Sequence, residues 1–266
     1  MQVCEGLARD AAIDAETRIA AAASGSGALV EELRVRVGLV GAGTVLAQAN
    51  AEVDGRRVRV QEAGAELAEV LDRLAAGLRG RIAAVSSGWS PRPWPRRVRA
   101  RGGPAAVPAQ AGPPRAQQWW APAATAPTAH PCTELPCPSG PQTIGRRKSV
   151  HLVWCSPDAA ARTMDAMDYD IHLFTDPATE TDAVVYRVGP TGYRLARTAA
   201  AGPPTRPAVP LTLNPCGAPE LTDQQAVGRL LAADLPFLFF AQPATRRGRV
   251  LYRRFDGRLG LITAAP

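Results

Sequence analysis

Residues 168–196, DYDIHLFTDPATETDAVVYRVGPTGYRLA, align without a gap to residues 234–262, DLPFLFFAQPATRRGRVLYRRFDGRLGLI, at an offset of 66. Nine pairs are identical: Asp168/Asp234, Phe174/Phe240, Pro177/Pro243, Ala178/Ala244, Thr179/Thr245, Val184/Val250, Tyr186/Tyr252, Arg187/Arg253 and Leu195/Leu261. In both copies Pro-Ala-Thr separates two apolar runs, the pattern of a turn joining two strands. Ahead of each lies a helix signal: Ser156-Pro157 reads as an N-cap followed by a first-turn proline, and Thr222 to Gln225 as a capping box. Each copy is thus predicted to be a strand (150–154 and 209–213), a helix, then three short strands.

A unit this small has a thin core, yet its strands are apolar on both faces, as Phe237-Leu238-Phe239-Phe240, Val184-Val185 and Val250-Leu251 show. The second face needs a cover, and the nearest one is the other copy. The expectation is a pseudo-dimer with Ile171, Phe174, Tyr186, Phe237, Phe239, Phe240 and Tyr252, and the turns around Pro177 and Pro243, at the inter-copy interface. The short Ala/Pro/Gly-rich connection 198–208 keeps the copies at an effective concentration in the millimolar range or above. Pairing within the chain should therefore win, leaving a mostly monomeric protein.

Upstream, proline marks a boundary: residues 1–90 contain none and residues 91–150 contain 13 of the 25. Charge marks it too, since the net is −2 over 1–90, +8 over 91–150 and +1 over 151–266. A proline-rich basic segment with no periodic apolar face cannot offset the entropy of ordering. As a coil it would reach on the order of 40 to 50 Å. The organisation expected is an N-terminal domain (1–90), a basic Pro-rich linker (91–148), and C-terminal copies at 149–200 and 201–266. Trp89, Trp94, Trp119 and Trp120 lie at or in the linker and read either as anchors for bases or protein grooves, or, for Trp89 and Trp94, as closing the N-terminal core.

Residues 1–90 read as a small α+β unit. Residues 1–4 would be a short strand and 11–23 an alanine-rich helix. Val35, Val37 and Leu39 alternate with Arg34 and Arg36, and Val45, Ala47, Ala49, Ala51 and Val53 with Gln48, Asn50 and Glu52. Asp54-Gly55 is a hairpin signal, and Val58 and Val60 then alternate with Arg57, Arg59 and Gln61. Leu67, Val70, Leu71, Leu74, Leu78, Ile82 and Val85 form a helical stripe. The order βαβββα places both helices on one face of an antiparallel sheet. The other face carries Arg34, Arg36, Gln48, Asn50, Arg57 and Arg59, a platform for RNA phosphates and base edges; a plainly solvated sheet face is the competing reading. Arg73, Arg79 and Arg81 of the last helix, and Arg92, Arg96, Arg97, Arg99 and Arg101 of the arm, complete the RNA-binding set.

The 266 residues are 46% apolar and 21% charged, enough for real cores. The longest apolar runs, such as 235–241, fall well short of the ~20 residues that cross a bilayer, and the chain opens with no secretory pattern. Five cysteines are too few and odd in number for a disulfide scaffold, so a cytoplasmic location is expected and no membrane partner. With 30 Arg and one Lys beside abundant Ala, Pro and Gly, arginine richness is a bias that GC-rich coding alone can produce, so it says little of function. His130, Cys132 and Cys137, even with His151 and Cys155, lack the tight paired spacing of a zinc site, so no metal or cofactor is expected. Gly38-Leu-Val-Gly-Ala-Gly43 with Glu62 downstream imitates a dinucleotide fingerprint, but Leu46 stands where its third glycine belongs and no further βαβ unit follows. His130, His151 and His172 are scattered, and His172 aligns with Leu238, which suits a strand histidine beside a domain interface better than a general base. An enzyme is not expected.

The repeat carries a resemblance. Residues 168–174 with 183–187, and residues 235–240 with 250–262, the closer match, resemble the C-terminal domain of long-form ribosome hibernation-promoting factors. Two tandem copies, with WSPRPWP at 89–95 and MDAMDYD at 164–170, resemble more narrowly the dormancy- or hypoxia-associated ribosome association factors of actinobacteria. The resemblance implies a non-catalytic factor whose βαβββα domain occupies the decoding channel of the 30S subunit against 16S rRNA. There it excludes messenger and transfer RNA, inhibits translation under stress and stabilises idle 70S ribosomes. In the long form the C-terminal domain pairs with a second ribosome's copy. The −2 net charge of residues 1–90 departs from a basic family and shifts RNA binding to the local arginine stripe and the arm. The alternative is a protein-interaction adaptor with tandem β modules.

Overall fold

In the computed structural model, residues 9–25, 27–40, 43–90, 143–188, 192–204 and 207–265 are described. The N-terminal unit runs α1 (Arg9–Ser24), β1 (Val30–Val40), β2 (Thr44–Val53), β3 (Arg56–Gly64) and α2 (Leu67–Ser86). The strands form one antiparallel sheet in the order β1-β2-β3. Residues 1–4, expected as a first strand, lie outside the described residues. Asp54 and Gly55 both take positive φ (49° and 70°), the geometry of the two-residue hairpin that their sequence predicts. Val35, Val37, Val45, Ala47, Ala49, Val53, Val58 and Val60 point to the helices and meet Ile19, Val70, Leu71, Leu74, Leu78 and Ile82 in one core. At Gly77 the fit is tight: a Cβ there would lie 2.8 Å from Val60 Cγ1, so glycine is what lets α2 lie on β3. Of the fingerprint-like glycines, Gly38 lies in β1 and Gly43 just ahead of β2, its antiparallel partner, so no strand-to-helix turn is formed there.

The C-terminal half continues with β4 (Ile144–Val150), α3 (Pro157–Ala166), β5 (Ile171–Asp176), β6 (Thr181–Val188), β7 (Gly192–Arg197), β8 (Leu211–Leu213), α4 (Asp223–Ala232), β9 (Phe237–Ala241), β10 (Gly248–Arg253) and β11 (Leu259–Ala264). Both helices start as their sequences predict. Ser156 accepts from the Ala159 amide with Pro157 next, and Thr222 and Gln225 close a capping box. Positive φ recurs at matching places in the two copies, at Asp168 and Asp234 and at Glu180 and Arg246.

The leading strands are exchanged. The two four-stranded sheets have the orders β4-β11-β10-β9 and β5-β6-β7-β8. The strand before α3 thus completes the second copy's sheet, and the strand before α4 completes the first. Each chain segment then returns to its own copy through a parallel bridge, Trp154 to Thr175 and Glu220 to Ala241. The basic run Arg146-Arg147-Lys148, expected inside the linker, is part of β4 because β11 offers it a parallel partner, Gly260 opposite Arg146 and Ile262 opposite Lys148.

Between the sheets Leu173, Val184, Tyr186 and Ala196 of the first copy meet Phe239, Ala241 and Val250 of the second, with Ile171, Phe237 and Ile262 at the margin. The Tyr186 and Phe237 rings meet edge to face at 5.5 Å. Burying Val184, Phe239 and Val250 in this layer stabilises the pair by roughly 1.5–3 kcal/mol for each side chain. The contact is self-complementary. Asp182 accepts from the Gly248 amide at 2.7 Å, and these two positions are equivalent at the 66-residue offset, as expected where a local two-fold axis passes. Tyr252, on the same side of β10 as Val250, is half-buried and lies over Gly260. Two expectations are corrected. Phe174 and Phe240 face their own helices, in separate cores with Met164 and Leu230, because strand alternation turns them away from the interface. Pro177 and Pro243 are exposed at the turns, outside the interface.

Candidate nucleic-acid interface

Register fixes what the open face of the N-terminal sheet presents. Arg34, Asn50 and Arg59 stand opposite one another across the three strands, and Arg36, Gln48 and Gln61 form the next row. A third row, Glu32, Glu52 and Arg57, is mainly acidic, and Glu32 pairs with Arg34 at 2.6 Å where both are more than half exposed. Gln48 donates to Asn50 at 3.0 Å, and Arg59 donates to Gln61. Two adjacent rows thus combine guanidiniums with amides, a set that can hold phosphate oxygens and hydrogen-bond to base edges.

The helical arginines do not join this face. Arg73, Arg79 and Arg81 lie on α2, in the layer packed on the sheet's opposite side. Arg73 is tied to Glu69 at 2.6 Å, Glu62 at 3.4 Å and the Ala63 carbonyl at 3.0 Å. Arg79 is exposed. Arg81 is paired with Asp168 of the first copy at 2.5 Å, both 12% exposed. Arg92, Arg96, Arg97, Arg99 and Arg101, like Trp94, Trp119, Trp120, His130, Cys132 and Cys137, lie outside the described residues. Among the described residues no three His, Cys, Asp or Glu side chains are gathered as metal ligands.

The N-terminal unit is docked on the first copy, an arrangement the repeat did not reveal. Asp168 follows α3 at positive φ and accepts from the Gln61 backbone amide at 3.1 Å as well as from Arg81. It thereby caps an amide of edge strand β3 that faces away from β2. The Arg59 guanidinium lies over the Tyr169 ring at 5.5 Å. Trp89, read as an anchor for a base or a protein groove or as a lid on the N-terminal core, packs against the first copy's core, a protein groove of its own chain. Its indole N–H donates to Asp165 at 3.2 Å, its ring lies 6.3 Å from Tyr193, and Arg162 sits over it at 5.6 Å. Asp165 is buried and also receives Arg187 and the Tyr193 hydroxyl. A sequence signal existed: at the 66-residue offset the second copy has Gly228, Leu231 and Leu259 where the first has Arg162, Asp165 and Tyr193.

His172 lies between the Tyr169 and Phe174 rings, at 6.0 and 6.2 Å, on the side of its own helix and away from the other copy. Burial pulls its pKa down to about 4. Lys148 on β4 is held below the usual lysine range, first by partial burial and then by the charges of Arg146, Arg59 and Arg254. The added basic strand is thus electrostatically coupled to the Arg59 end of the sheet face.

The architecture defines a two-part protein: an α+β unit with an open polar-basic sheet face, and a duplicated unit paired with itself. Residues 140–195 match the family described as "Sigma 54 modulation/S30EA ribosomal protein C terminus". The match falls on the first copy, whereas the residue-level resemblance is closer in the second. Two proteins named "Dormancy associated translation inhibitor", from Mycobacterium tuberculosis strains CDC 1551 / Oshkosh and H37Rv, are each 40% identical over 229 residues, 83% of this chain and 71% of theirs. The chain belongs to the family of these dormancy associated translation inhibitors. The crystal structure of the Thermus thermophilus Protein Y N-terminal domain is 24% identical, with a TM-score of 0.26, covering 31% of this chain and 91% of that one.

Proposed function

We propose that this chain is a non-catalytic ribosome hibernation factor of the cytoplasm. Its N-terminal sheet face and basic arm bind 16S rRNA in the decoding channel of the 30S subunit. Occupancy there excludes messenger and transfer RNA, so translation stops while the 70S particle is kept intact. The observation that carries the reading is the pair of guanidinium–amide rows, Arg34–Asn50–Arg59 and Arg36–Gln48–Gln61, on the sheet face opposite α1 and α2. The relatives' name supplies the direction of the effect, inhibition. The inter-copy layer supports a second element: the surface that could join two ribosomes is filled within one chain, so the factor is mostly monomeric and acts on single 70S particles.

The test is co-sedimentation with 30S subunits and 70S ribosomes across a salt series. Reversing Arg34, Arg36 and Arg57 to Glu should abolish binding at moderate salt. It should also make the salt dependence shallower, by about 0.7 to 0.9 in log K against log salt for each phosphate no longer neutralised. Unchanged affinity would refute the sheet-face assignment. Abundant 100S particles in a sucrose gradient with wild-type protein would refute action on single 70S particles.

A further inference from the structure

The docked arrangement uses part of the same surface that the proposed function needs. Arg59 belongs to the guanidinium–amide rows, yet it is half-buried against Tyr169, and the Gln61 edge of the sheet is closed by Asp168. Arg81 directs its charge to the same carboxylate. The first copy is also built for this contact in ways the second is not. Its Asp165, Tyr193 and Arg162 form an indole-binding site for Trp89, where the second copy has Leu231, Leu259 and Gly228. In the second copy the equivalent of Asp168 is Asp234, which is 93% exposed and pairs with its own Arg253 at 2.9 Å.

We propose that the first copy is a receptor for the chain's own N-terminal domain, engaging Trp89, Arg81 and the β3 edge, and that rRNA must displace it to gain the Arg59 side of the sheet face. This rests on the rRNA reading of that face. The unbound protein is then a closed form, and the observed affinity for the ribosome is the intrinsic affinity multiplied by the fraction open. The N-terminal unit and the first copy have separate cores, so the two can part without breaking either.

The experiment uses the full chain and purified 30S subunits. Asp168→Asn removes the charge that holds Arg81 while keeping a residue that tolerates positive φ; Trp89→Ala removes the indole with no change of charge. Both variants should bind 30S more tightly, on the order of tenfold for a latch that keeps nine molecules in ten closed. Asp234→Asn makes the same charge change at the equivalent place in the second copy and should leave affinity unchanged, which separates latch release from a general gain in positive charge. Hydrogen exchange supplies a second readout: peptides spanning 84–90 and 165–172 should be protected in the free wild type and exchange faster once 30S is bound. Unchanged or weaker binding of the Asp168→Asn and Trp89→Ala variants, or protection that persists on the ribosome, overturns the proposal. If reversing Arg34, Arg36 and Arg57 abolishes binding while the latch variants gain nothing, the latch alone fails. If that reversal has no effect, the sheet-face reading itself fails.

Discussion

Gly248→Ala tests the inter-copy axis with one added methyl. The Cβ would lie 2.9 Å from Asp182 Cβ, 3.0 Å from Phe239 Cε2 and 3.3 Å from Thr198 Cγ2. None of the nearer groups can give way easily. Phe239 is 1% exposed and Asp182 5%, and Asp182 is fixed by the Gly248 amide at 2.7 Å and Arg247 at 2.8 Å. The two copies must move apart or Phe239 must leave its rotamer, an overpacking cost of about 1–3 kcal/mol. Separation also stretches the charge-assisted amide bond, which adds about 1.5 kcal/mol or more. Together the loss is about 2.5–4.5 kcal/mol, felt in the C-terminal half. Urea unfolding followed by hydrogen exchange in β9 and β10 should show that half losing protection at lower denaturant while α2 keeps its own. Asp182→Asn, which keeps an acceptor without adding volume, should cost less than half as much. If Gly248→Ala unfolds at the wild-type midpoint, the close approach at the axis is wrong.

Deleting residues 201–266 removes β8 and the whole second copy, leaving β4 and the outer edge of β7 without partners; the product should dimerise by pairing each β4 with the other chain's β7, and a monomer in light scattering would refute this. His172 is held neutral, so the unfolded chain takes up its proton near pH 6.5 and the folded chain only near pH 4. Stability present above pH 6.5 is therefore lost as pH falls to 4, by up to about 3 kcal/mol. His172→Leu, the side chain found at the equivalent Leu238, should flatten the loss in urea midpoints measured at about pH 7 and about pH 4.5. Thr222→Ala breaks the capping box of α4 and should cost about 1 kcal/mol with no effect on the N-terminal unit; equal destabilisation of both halves would contradict their separate cores.

The repeat was legible because an ungapped offset preserves turn chemistry, caps and apolar alternation together, and the same alternation made the N-terminal hairpins readable around Asp54-Gly55. Which of two adjacent phenylalanines faces the partner was not, since Phe239 and Phe240 are equally apolar and only the twist and pairing of β9 decide. Strand exchange was invisible for a related reason: β4 and β8 hold equivalent places in the repeat, so either could complete either sheet, and the choice depends on the path of the chain between copies. The rows of the open sheet face could be listed from period-two patterning, but the partners of α2's Arg73 and Arg81 could not, because charge on a helix says nothing of which neighbour will claim it. The indole site was missed because it shows only as a difference between copies, at Asp165 and Tyr193, within an alignment read for its identities.

The exchanged strands also fix an order of events during synthesis. β4 leaves the ribosome first in this half, yet its hydrogen-bonding partner β11 is made long after it, with Thr263 reaching the Lys148 carbonyl across 115 residues. Until that point a growing chain holds an unpaired, basic strand edge. Contacts of such sequence separation form slowly, and a chain released early cannot finish the second sheet at all. Arg146, Arg147 and Lys148 stand on that waiting edge, and charge of this kind discourages edge-to-edge association. The same three residues that border the finished second sheet are thus the ones a growing chain exposes along an unpaired strand until β11 is made.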